Sequence, residues 1–75
     1  MKNNKLLNRI ELNPKIMFGK PVVKGTRLTV ELILEKMAAG ESENDILESY
    51  PFLTKDDLKA CLLYAARSIS FEEVI

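Results

Sequence analysis

A chain of 75 residues, 47% hydrophobic and 29% charged, has room for one core and one domain, because a domain this small buries only about 60% of the surface its unfolded chain exposes. The formal net charge of zero conceals a division: residues 1–27 carry seven basic side chains against one acidic (+6), and residues 28–75 carry four against ten (−6). The chain contains no histidine, which removes the commonest general base and the commonest metal ligand together, and most enzyme readings with them.

The opening segment, Met1 to Arg9, lacks the apolar run of a signal peptide, and no stretch approaches the roughly 20 apolar residues of a membrane span, so a soluble cytoplasmic protein is expected. The single Cys61 cannot form an internal disulfide. A core this limited is commonly extended by self-association, and a homodimer is expected.

In chain order, Arg9 to Leu12 alternates polar and apolar residues, with Ile10 and Leu12 on one side, the period of a half-buried strand that Asn13-Pro14 ends. Ile16-Met17-Phe18 and Val22-Val23 read as two further short or edge strands, limited by Gly19 and Pro21. At Thr29 the period changes. Val30, Ile33, Leu34, Met37 and Ala38 fall on one helical face, with Thr29 suited to the N-cap and Gly40 to the position just past the end. Ser42 caps a second helix carrying Ile46 and Leu47, with Asp45 in its first turn and Pro51 stopping it. Thr54 repeats the device with Asp56 and Asp57 and opens a third helix whose Leu58, Cys61, Leu62 and Ala65 share a stripe. The expected architecture is mainly α: a three-helix, helix-turn-helix core over residues 29–67, an extended basic β element over 9–27 and a tail over 68–75, all one domain. Such a core is used for DNA reading, for protein contacts and for plain stability, so it assigns no function by itself.

Cys61 lies on an apolar stripe with no base available and reads as a structural thiol rather than a nucleophile. Glu31, Glu35, Asp56 and Asp57 occupy first turns and polar faces, where carboxylates complement the helix dipole. No catalytic residue, metal site or cofactor is expected.

The densest motif is Gly19-Lys20-Pro21-Val22-Val23-Lys24-Gly25-Thr26-Arg27. A phosphate-binding loop would need Gly-Lys-Thr in that order; here it is Lys24-Gly25-Thr26, and Pro21 removes an N–H from the cradle. Two readings remain. In the architectural one, Gly19 and Gly25 take positive φ at turns, Pro21 stiffens the approach, Thr26 bonds locally and Arg27 pairs with an acidic residue of the helical part, such as Glu31. In the functional one, Lys15, Lys20, Lys24 and Arg27 contact DNA backbone. Architecture carries more weight for these residues taken alone. Asp56 and Asp57 at the start of the would-be recognition helix repel phosphate, so any DNA contact belongs to the basic N-terminal element of a dimer, and the acidic helical surface suits a basic protein partner.

The motif, followed by Val30-Glu31, Gly40, Ile46, Tyr50-Pro51, Leu53-Thr54, Asp57 and Tyr64-Ala65, resembles a family of short prokaryotic proteins long catalogued as domain of unknown function four-three-three. The resemblance runs from about Ile10 to Ala66; Phe18 departs from it, standing where a small or polar residue is usual, in a place that bears on a strand or dimer contact. It implies a homeodomain-like three-helix core with a small N-terminal β element, and an antitoxin of a two-gene toxin–antitoxin pair whose partner is a PIN-like nuclease toxin. Some such antitoxins repress their own operon, and none has assigned catalytic residues. Beyond the matched stretch, Ser70-Phe71-Glu72-Glu73-Val74-Ile75 has capping-box spacing. It reads either as a partner-docking segment through Phe71, Val74 and Ile75 or as a final turn folded on the core. The leading expectation is an antitoxin acting by direct binding; the alternatives are a dimeric DNA-binding repressor and a plain dimeric scaffold.

Overall fold

Each of the three main helices starts where a short polar side chain can satisfy the free amides of its first turn. In the computed structural model, which describes residues 4–70, Thr29 accepts from the Leu32 amide at the head of Val30–Ala38. Ser42 and Asp45 form a reciprocal capping box on Glu43–Ser49, and Thr54 and Asp57 form another on Lys55–Ser68. Gly40 closes the first of these helices at φ +99°, a left-handed conformation that costs glycine nothing. Before them stand a short helix Asn4–Leu7, a strand Ile10–Glu11, a 3-10 turn Met17–Gly19 and a strand Val22–Val23. In chain order the elements are α1 (Asn4–Leu7), β1 (Ile10–Glu11), β2 (Val22–Val23), α2 (Val30–Ala38), α3 (Glu43–Ser49) and α4 (Lys55–Ser68). The protein is mainly α, with a two-stranded antiparallel sheet that pairs Ile10 with Val23 and Glu11 with Val22.

The core gathers Val23, Val30, Ile33, Ile46, Leu53, Leu58 and Cys61 from β2, the three helices and the α3–α4 turn. Burying a side chain such as Leu58 stabilises the fold by about 1.5–3 kcal/mol. α4 is the hub: it packs against α1, β1, α2 and α3. Its buried face is therefore wide, taking in Asp57, Leu58, Ala60 and Cys61. Leu62, expected on the buried stripe, is half exposed, because the inward direction of α4 is centred on Leu58 and Cys61.

The first third of the chain departs from expectation in two places. Ile16-Met17-Phe18 is not a strand. Met17 and Phe18 have φ of 49° and 58°, and with Gly19 at 82° they make a left-handed turn, closed by the Gly19 amide on the Ile16 carbonyl and the Lys20 amide on the Met17 carbonyl. Each non-glycine residue in that region costs about 1–2 kcal/mol. Helix α1 was not expected, since four residues, Asn-Lys-Leu-Leu, carry no periodic signal; its packing on α4 holds it. No helix among the described residues is long and apolar enough to cross a membrane.

Candidate functional site

The nine-residue motif folds into a hydrogen-bonded hairpin that delivers the chain from β2 into α2. The Thr26 amide donates to the Val23 carbonyl at 3.0 Å, closing a turn whose third residue is Gly25 at φ +82°, where only glycine sits without strain. Thr26 Oγ1 donates to the same carbonyl at 2.8 Å and accepts from the Leu28 amide at 3.0 Å. The ladder continues with the Val23 amide on the Leu28 carbonyl and the Val30 amide on the Pro21 carbonyl, each at 2.9 Å, and a bridge between Val22 and Thr29. Pro21 contributes an acceptor, and its missing N–H leaves no gap. The Lys24 amide donates to the Arg9 carbonyl at 2.7 Å, tying the turn to the segment before β1.

The cations divide into latches and free charges. Lys20 Nζ meets Glu31 Oε1 at 3.1 Å, so the pairing expected between Arg27 and Glu31 is replaced by one from Lys20. Arg27 precedes the N-cap Thr29 and lies outside the helix, so the i, i+4 geometry does not apply to it. Arg9, singled out by no sequence signal, reaches Asp57 at 3.1 Å and Asp56 at 3.6 Å. Lys15, Lys24 and Arg27 are exposed and make no ion pair among the described residues.

Cys61 is fully buried, and burial first, with the nearby Asp57 carboxylate second, pushes its thiol up to about 11. It is a protonated packing group at neutral pH, as its stripe position indicates. Of the acids, Asp57 serves both a cap and the Arg9 latch, while Glu43, Asp45 and Glu48 of α3 are exposed and make no ion pair among the described residues. The Ser42 amide and hydroxyl hold Asp45 below its ordinary carboxylate value. In the turn between α3 and α4 Phe52 stands 61% exposed, its ring edge-on to Tyr50 at 6.2 Å between centroids.

Two apolar grooves flank Tyr64. One, of about 320 Å³, runs between α2 and α4 past Pro21, Val30, Leu34, Tyr64 and Ala65, with Lys20, Glu31 and Glu35 at its rim. The other, of about 360 Å³, lies between Leu7, Ile10 and Leu12 on one side and Tyr64, Arg67 and Ser68 on the other. Neither was foreseen, since each is made by elements distant in the chain. Gly19, Lys20, Pro21, Lys24, Gly25, Thr26 and Arg27 are brought together in one loop; Lys15 sits in the preceding loop, its amide donating to Asn13 Oδ1. Phe71, Val74 and Ile75 lie outside the described residues.

Residues 10–65 match the family model described as protein of unknown function (DUF433). The chain is 38% identical over 53 residues to uncharacterized protein y4eO of Sinorhizobium fredii (strain NBRC 101917 / NGR234). That match takes in 71% of the chain and 24% of the relative, so the chain spans about a quarter of the relative's length. The crystal structure of a DUF433 member protein from Anabaena variabilis ATCC 29413 superposes with a TM-score of 0.79 at 28% identity, covering 92% of this chain and 71% of the other. With its motif, its capped helices and more than half its length accounted for by one family model, the chain belongs to the DUF433 family.

Proposed function

We propose that this chain acts by binding, as the antitoxin of a two-gene toxin–antitoxin pair, neutralising a PIN-like nuclease toxin by direct contact. The observation that carries the reading is the set of exposed carboxylates on α3, Glu43, Asp45 and Glu48, none in an ion pair among the described residues, with the exposed Phe52 in the turn that follows the helix. A nuclease surface that binds a phosphate backbone is cationic, and a short helix rich in exposed carboxylates, followed by an exposed aromatic residue, is complementary to it. Occlusion needs no reacting group in the antitoxin, in keeping with a chain that lacks histidine and keeps its one thiol protonated. The test is co-expression of the tagged chain with its neighbouring gene. A complex that survives size-exclusion chromatography, and is lost on Glu43→Lys with Phe52→Ala, supports the reading. Recovery of the chain without a partner overturns it.

A second reading is autorepression, in which the basic N-terminal element of a dimer holds DNA. Lys15, Lys24 and Arg27, exposed and unpaired among the described residues, favour it. A gel shift with operon DNA at two salt concentrations tests it, because backbone contacts predict a steep loss of affinity with salt.

A further inference from the structure

Phe18 is the most exposed large hydrophobic residue among those described, at 94%, and it sits on backbone that a phenylalanine does not adopt without strain. The loop beneath it is braced. The Lys15 amide donates to Asn13 Oδ1, the Ile16 amide to the Asn13 carbonyl, and the Gly19 and Lys20 amides close the left-handed turn. The ring is thus presented on a fixed support, the condition under which an aromatic residue serves as an interface anchor. Two residues further on, Lys20 and Pro21 form one end of the groove between α2 and α4. At about 320 Å³ that groove has ample room for a phenyl ring, since benzene is held in a cavity of about 150 Å³.

We propose that this face joins two copies of the chain, Phe18 of each seated in the α2–α4 groove of the other. Lys20 and Pro21 connect knob to groove within three residues of chain, so a two-fold axis passing between them makes both contacts at once, as an isologous interface requires. Charge selects a second copy as the occupant. The loop bearing Phe18 carries Lys15, and the groove's rim carries Glu35 beside the Lys20–Glu31 pair that is satisfied within the chain, so a cation of one chain meets an unpaired carboxylate of its twin. Lys15 and Glu35 are exposed and make no ion pair among the described residues, and the proposed contact brings opposite charges to each. The inference is independent of the toxin reading, which uses α3.

The experiment is sedimentation equilibrium on the full chain across a broad concentration range, with melting curves as the control for folding. The wild type is expected to dimerise. Phe18→Asn removes the ring while installing a residue at ease in the left-handed region. It is expected to keep a cooperative melting transition and to weaken the dimer by about 30-fold or more, the scale of an interface hot spot. Ala65→Lys, or Ser68→Arg at the exposed end of the groove, blocks the groove and leaves Phe18 in place. Each variant alone is expected to be monomeric, and an equimolar mixture of a knob variant and a groove variant to recover a dimer, because one of the two contacts survives in the mixed pair. A monomeric wild type, a Phe18→Asn dimer as tight as the wild type, or a mixture that stays monomeric overturns the proposal.

Discussion

Arg9 and Asp57, 48 residues apart in sequence, meet at 3.1 Å and join the N-terminal segment to the first turn of α4. Asp57 divides its carboxylate between two tasks: Oδ1 accepts from Arg9 and Oδ2 from the Thr54 amide at 2.9 Å. With the residue only 7% exposed, neither oxygen has much water to fall back on.

Arg9→Ala is therefore expected to lower stability by about 1–2 kcal/mol, chiefly by leaving a buried acceptor without its donor. Arg9→Lys should recover only part, because an ammonium cannot span Asp56 and Asp57 with two nitrogens as the guanidinium does. Urea midpoints at constant slope measure both effects, and an Arg9→Ala midpoint equal to the wild type would show the latch to be idle.

Gly25→Ala tests the motif's turn. Beyond its two chain neighbours, no atom of the described residues lies within 4 Å of where the new Cβ would stand, so the effect is conformational. The expected cost is about 1–2 kcal/mol, from forcing a side chain into φ +82°. Thermal unfolding checks it; an unchanged midpoint would mean that the turn flips to a negative-φ form at no cost.

For Cys61, a thiol pushed up to about 11 and fully buried should not react with a disulfide reagent at pH 8 in the native state, yet react at once in denaturant. The linkage has a definite sign. Protonated thiol is favoured by the folded state, so this contribution is intact below the thiol's ordinary value and declines as pH rises from there through about 11. Cys61→Ser is expected to cost about 1–3 kcal/mol by burying a hydroxyl in place of an apolar sulfur.

Asp45 supplies the opposite limb. Its carboxyl is held below the ordinary value of 3.8 by the Ser42 amide and hydroxyl. The stability it contributes is fully present above that value and is lost as pH falls through the lower folded-state value. An Asp45→Asn variant should show a shallower acid limb in its melting temperatures than the wild type, with equal slopes counting against the capping role.

The helices were legible because their signals are local: Thr29, Ser42 and Thr54 each stand three residues before the amide they cap. The turn at Gly25 was legible for the same reason. What escaped the sequence is what distance makes. Arg9 finds Asp57 only once β1 and α4 are folded together, and Lys20, not Arg27, lies within reach of Glu31. The Ile16-Met17-Phe18 run reads as a strand yet folds as a turn, because three apolar residues in a row say nothing about the sign of φ, and only Gly19 hints at it. Both grooves are properties of packing and have no local trace in the chain.

The Lys24 amide bond to the Arg9 carbonyl sets how the native molecule comes apart by small steps. Arg9 engages the motif's turn through its backbone and α4 through its side chain, so any excursion that peels residue 9 away frees both together. In a hydrogen-exchange experiment the Lys24 amide should then become accessible with the same opening free energy as the amides of α1 and β1. The amides of Ile33 and Leu58 should wait for global unfolding. The N-terminal segment and the glycine turn are thus expected to exchange as one cooperative unit, ahead of the three capped helices they rest upon.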